Sequence, residues 1–150
     1  MGKITEENRR RLEKADKYED AEITGLLDRE FTSTLNTLFD EKNMSTQQIV
    51  NITGISKGYI NKLKNFDLLD IQPSRAKIIN IGLALNCTEE ELNDLLKSAR
   101  LHPLYSRSKE EGIIIWGLLH NKSYDEILEL LDEKGYGSFL EGTVKKEGNR

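Results

Sequence analysis

One cysteine, Cys87, is all that the 150 residues contain. It has no partner for an intramolecular disulfide, which fits a reducing compartment and makes the cytoplasm the expected location. No apolar run approaches the roughly 20 residues that a membrane-spanning helix needs. The longest, Ile113 to Leu119, is far too short, so no membrane partner is expected. Residues Met1 to Arg11 are polar and charged, so no secretory signal is expected either. Excess positive charge is missing too: the net charge is −4. A wholesale polyanion binder would be basic, so contact with nucleic acid must come from a local patch. The chain has no alternating strand pattern, no internal repeat and no low-complexity tract.

Signals of catalysis are also lacking. His102, His120 and Cys87 do not have metal-ligand spacing. Cys87 has no basic neighbour in sequence to activate its thiol. Gly135-Tyr136-Gly137-Ser138 is a lone Gly-x-Gly after a helical pattern, not after a strand, so it is no phosphate loop. Neither a nucleophile elbow nor a kinase signature occurs. Glu89-Glu90-Glu91 sits at a helix start, where the dipole favours acids. The expectation is a protein that is not an enzyme and holds no cofactor or metal.

What is present is apolar content at helical spacing. Hydrophobic residues make up 37% and charged residues 32%, enough for a core with charge above the usual share of about a quarter. Phe31, Leu35, Leu38 and Phe39 fall on one face of a helix over 31–42, with Asn43 suited to a left-handed exit. Further on, Pro73 can open a largely apolar helix carrying Ile78, Ile79, Ile81, Leu83 and Leu85, which Asn86 ends. Thr88 with Glu91 forms a capping box ahead of Leu92, Leu95, Leu96 and Ala99. After a break at Leu101-His102-Pro103-Leu104-Tyr105, Ser108 with Glu111 caps a sixth helix through Ile113 and Trp116. Ser123 with Glu126 caps a seventh, which Gly135 closes.

The centre of the chain is the stretch from Ser45 to Asn65. It predicts two short helices joined at Gly54, where a positive φ costs little. Ser45 with Gln48 makes a capping box for the first, and Ser56 can cap the second. Tyr59, Ile60, Leu63 and Phe66 recur at three- and four-residue intervals and would face a core. Lys57, Asn61, Lys64 and Asn65 fall on the other side, with Gly58 and Lys62 beside them. A short, polar, basic helix face after a tight turn is what a DNA major groove accepts. From Asn43 to Phe66 there are three lysines and no acid, although the whole chain is negative.

These residues carry a resemblance. Met44-Ser45, Gln47-Gln48-Ile49, Gly54-Ile55-Ser56 and Tyr59-Ile60-Asn61-Lys62-Leu63, with Asn65 and Pro73 behind, resemble the Cro/cI-type (XRE) helix-turn-helix domain of bacterial and phage regulators. Leu104-Tyr105-Ser106-Arg107 followed by Ile113 to Leu119 is similar to an extension found in some Gram-positive members. The resemblance implies an all-α fold: a five-helix lambda-repressor-like helix-turn-helix bundle with two additional C-terminal helices. The expected organisation is a weakly ordered charged arm (1–28), the DNA-binding domain (29–100), a C-terminal helical extension (101–140) and a disordered tail (141–150). The implied function is a sequence-specific DNA-binding transcriptional regulator, with double-stranded DNA as partner. Thr46, Gln47, Ser56, Lys57, Gly58, Asn61, Lys62 and Lys64 are the implied contact residues. Thr46 and Ser56 would fix register on phosphates, Lys57, Asn61 and Lys62 would read bases, and Gly58 would let the backbone come close.

Other expectations stand beside these. The charge pattern of the arm suits a solvated helix or mobile segment, with a contact of Arg9-Arg10-Arg11 to DNA as the sharper alternative. Phe66, Leu68, Leu69 and Ile71 form an apolar loop cluster, a satellite of the core or a docking site for a protein partner. The apolar helices over Ile113 to Leu131 either cover the bundle or form a homodimer that spans two half-sites. Asp67 and Asp70 would repel a phosphate backbone. They motivate an alternative function, a protein–protein interaction module that keeps the helix-turn-helix fold without DNA binding. A continuous positive stripe across Lys57, Lys62, Lys64 and Arg75/Lys77 would favour DNA.

Overall fold

The computed structural model describes Arg9, Arg10, Glu13 and residues 24–65 and 73–140. The expectations placed on most of the N-terminal arm, on the loop from Phe66 to Ile71 with Asp67 and Asp70, and on the tail lie outside the described residues. All regular structure among the described residues is helical. The order is α1 (Thr24–Glu41), α2 (Thr46–Thr53), α3 (Lys57–Asn65), α4 (Arg75–Ala84), α5 (Glu89–Ser98), α6 (Lys109–Leu119) and α7 (Tyr124–Glu133). None of these helices is long and apolar enough to cross a membrane.

The helix ends follow local chemistry. Capping boxes close at Ser45/Gln48, Thr88/Glu91 and Ser123/Glu126. Each satisfies two backbone donors that a helix start leaves orphaned. Asn43, Asn86 and Gly135 take the left-handed exits, with φ of 56°, 62° and 88°. Two ends differ from expectation. The first helix starts at Thr24, seven residues ahead of Phe31. Pro73 lies outside α4, whose N-cap is Ser74, with its hydroxyl accepting from the Lys77 amide.

One continuous apolar cluster runs from Phe31 to Leu140. Phe31, Leu35, Leu38 and Phe39 of α1 supply one wall, Ile78 and Ile79 of α4 a second, and Leu92, Leu95 and Leu96 of α5 a third. Helix α3 packs on α1 and α2 and buries Ile60 and Leu63. Helices α6 and α7 form a hairpin that packs on α5 through α6 and adds Ile114, Ile127 and Leu131 to the same cluster. Two glycines permit the close crossings. A Cβ at Gly82 would collide with Leu92 across α4 and α5, and one at Gly117 would meet Ile127 Cγ1 at 2.6 Å across α6 and α7.

The helices are further tied by polar links between distant residues. Arg75 on α4 makes a two-pronged pair with Glu111 on α6, Nε to Oε2 and Nη2 to Oε1, both at 2.8 Å. The same guanidinium donates to the carbonyls of His102 at 2.7 Å and Pro103 at 3.0 Å. Glu111 also accepts from the Tyr105 amide at 2.9 Å. Ser108 caps α6 as expected, but the Glu111 carboxylate turns to Arg75 instead of completing the box. Tyr124 on α7 donates to Asn80 on α4 at 2.6 Å. Burial pushes its phenol up to about 12, so the hydroxyl keeps its proton.

Candidate nucleic-acid interface

A nine-residue helix does not hold its shape alone in water. Helix α3 is held by burial of Ile60 and Leu63, each contributing roughly 1.5–3 kcal/mol. It is also held by its ends. Ser56 Oγ accepts from the Tyr59 amide at 3.1 Å, which caps the start. At the other end Asn36 of α1 donates to the Lys64 carbonyl at 2.9 Å, satisfying an orphan acceptor. The Tyr59 hydroxyl accepts from the Ser74 amide at 3.1 Å and so fixes α3 to the start of α4.

The turn before α3 is equally constrained. Gly54 takes φ 77°, and its amide donates to the Val50 carbonyl at 2.8 Å. Thr53 is buried and works from both sides of the turn. Its hydroxyl donates to the Ile49 carbonyl at 2.7 Å and accepts from the Ile55 amide at 3.1 Å. The angle between α2 and α3 is therefore set by side chains as well as by the glycine.

The outward face of this unit carries most of the expected residues. Lys57, Gly58, Asn61 and Lys62 are exposed on one side of α3, with Ser56 at its start. No ion pair among the described residues engages Lys57 or Lys62. A Cβ at Gly58 would meet nothing within 4 Å, so the helix surface there is open. Gln47 is exposed on α2 and donates to Asn51 at 2.9 Å, one turn on.

Thr46 and Lys64 stand apart from that set. Both are half-buried, and the Lys64 ammonium donates to Thr46 Oγ1 at 2.9 Å. The same ammonium lies 4.1 Å from the centre of the Phe39 ring. Lys64 thus stitches α3 to α2 and α1. The far end of the expected positive stripe is diverted too. Arg75 is engaged by Glu111, and Lys77 lies over the Tyr59 ring at 4.0 Å. The unengaged cations of α3 are therefore Lys57 and Lys62. Within the N-terminal triplet, Arg9 is 3.5 Å from Glu13 on an exposed surface and Arg11 lies outside the described residues.

No family model, curated protein or solved structure matches the chain. Among the described residues no group of three or more His, Cys, Asp or Glu side chains is placed to hold a metal ion. Burial pushes the Cys87 thiol up to about 12, which leaves it protonated and a poor nucleophile. The α2–turn–α3 unit offers two ammonium groups and one amide side chain without a partner among the described residues, a hydroxyl that can still donate, and bare backbone at Gly58. Such a set suits phosphate oxygens and base edges. Asn36, Thr53 and Tyr59 support the unit through bonds that periodicity does not reveal. A polar Asn36 within the apolar stripe of α1, and a threonine beside the turn glycine, are the available sequence signals.

Proposed function

We propose that the chain is a sequence-specific DNA-binding regulator of the lambda-repressor-like helix-turn-helix kind, with α3 entering the major groove. The observation that supports it is the division of α3. Ile60 and Leu63 are buried, while Lys57, Gly58, Asn61 and Lys62 are exposed together behind a rigid turn. In this reading Lys57 and Lys62 donate to guanine edges or phosphates, Asn61 pairs with adenine, and the Ser56 hydroxyl donates to a phosphate. Two copies paired through the C-terminal helices would present two half-sites, and Leu119, at 63% exposure on α6, is apolar surface available for that pairing.

Gly58 offers a test that separates binding from folding. Gly58→Glu adds a side chain into open space in the first turn of α3, where an acid favours the helix dipole. The melting temperature should hold or rise. Affinity for a duplex selected from random sequence should fall about tenfold or more, because a carboxylate would face phosphates. Unchanged affinity in a folded variant would sink the assignment of this face.

A second reading has its own observation. Lys64, Arg75 and Lys77 are turned to Thr46, Glu111 and Tyr59, so the positive stripe is shorter than the sequence implies. A module that keeps the fold but binds a protein would need no longer stripe.

A further inference from the structure

A groove of about 490 Å³ opens between the start of α6 and the end of α7. That volume is within the roughly 300–1,000 Å³ range of small-molecule sites. Its charges are one-sided. Arg107, Lys109 and Lys134 line it, and no acidic side chain does. No ion pair among the described residues neutralises any of the three. Ile113, Trp116, Leu130 and Tyr136 supply its apolar lining. A neighbouring groove beyond Trp116 is lined by three glutamates of α7 and by Lys122, so its charge is negative on balance.

The two characters are separated along the hairpin. Arg107 and Lys109 stand at the start of α6 and Lys134 just past the end of α7, which are the same end of an antiparallel pair. Trp116 lies two turns further along α6, about 10 Å from Lys109 at helical rise. Trp116 is 44% exposed, stacks on His120 with centroids 4.5 Å apart, and has the Lys122 ammonium 5.6 Å from its ring centre on the side away from Lys109 in sequence. Gly112 also lines the groove, and a Cβ there would press on the Ser106 carbonyl at 3.3 Å.

We infer that this groove is a binding site for an anionic amphiphile, a single carboxylate head on an apolar body about 10 Å long. The head sits among Arg107, Lys109 and Lys134, and the body lies along Ile113 and Leu130 to Trp116. A neutral apolar ligand would leave the cations unanswered, and a small inorganic anion would leave the apolar floor wet. The site is separate from the exposed face of α3 and does not depend on what that face binds.

Trp116 is the only tryptophan, so its emission reports on the groove directly. The full-length chain should be titrated with decanoate below its micelle concentration, with decyltrimethylammonium and acetate as controls. Decanoate should give a saturable change with one site per chain. The cationic amphiphile and acetate should bind at least about tenfold more weakly, as should decanoate to the Lys109→Ala/Lys134→Ala double variant. Both lysines are exposed, and circular dichroism should show the variant folded. Equal response to the cationic amphiphile, equal response to acetate, or undiminished decanoate binding by the folded variant would each overturn the inference.

Discussion

Replacing Arg75 by alanine is expected to destabilise the folded state by about 3–5 kcal/mol, the cost of leaving a buried charge without its partner. Glu111 is only 6% exposed, and among the described residues Arg75 is the one cation in an ion pair with it. The variant would also free the carbonyls of His102 and Pro103, which fix the segment leading into α6. For a domain of this size the melting temperature should drop by roughly 10 °C. The penalty should depend on pH with a definite sign. Burial pushes the Glu111 carboxyl up, but hydrogen bonds from Arg75 and the Tyr105 amide outweigh it and hold the group below the ordinary carboxylate range. In the native protein this contribution is present above the unfolded value of about 4.3 and is lost as pH falls through the lower folded value. In the variant Arg75 no longer offsets burial, which pushes the carboxyl up, so protonation relieves it as pH falls. The gap between the two proteins should therefore be widest near neutrality and shrink in acid. Urea titrations at pH 7 and pH 4 measure it. A gap that does not change with pH would show that Glu111 is not the group left stranded.

Arg75 also shows where sequence stops being informative. Ser45/Gln48, Thr88/Glu91, Ser123/Glu126 and Ser108/Glu111 are the same local pattern, and the first three close as boxes. Glu111 instead meets a guanidinium 36 residues earlier in the chain. Spacing encodes a helix start, because the partners are three residues apart. It does not encode which distant cation the fold will bring to the same carboxylate. The same limit explains Lys64. Its place on the polar side of α3 is legible from the 3.6-residue period, but its aim at Thr46 and Phe39 depends on how α1, α2 and α3 cross. The apolar positions were the most legible. Phe31, Leu35, Ile60, Leu63, Leu92 and Leu95 are all buried, because one-sided burial is what a 3.6-residue repeat expresses. The start of α1 at Thr24 was hidden, since Thr24 and Gly25 carry little helix propensity and tertiary packing sets such ends.

The double substitution Lys57→Ala/Lys62→Ala is expected to lower duplex affinity about a hundredfold or more, at roughly 1–3 kcal/mol for each lost specific contact. Stability should change by less than about 0.5 kcal/mol, because both side chains are exposed and without ion pairs among the described residues. The single variants divide the roles further. A lysine that donates to a base edge should, when removed, relax the preference at one position of the site. One that donates to a phosphate should weaken all duplexes alike and lower the salt slope by about 1. Gel-shift or anisotropy titrations at two salt concentrations distinguish these. Affinity within twofold of the native chain would leave α3 without a role in binding, and would move weight to the protein-interaction alternative.

Recognition of DNA sequence by the exposed face of α3 is what the proposed function requires. It is tested most directly by selecting ligands for the full-length protein from a pool of random duplexes. A common short motif should be enriched, and that enrichment should be lost with Lys57→Ala/Lys62→Ala. A pool that shows no shared motif after repeated rounds, with the protein folded throughout, would contradict it.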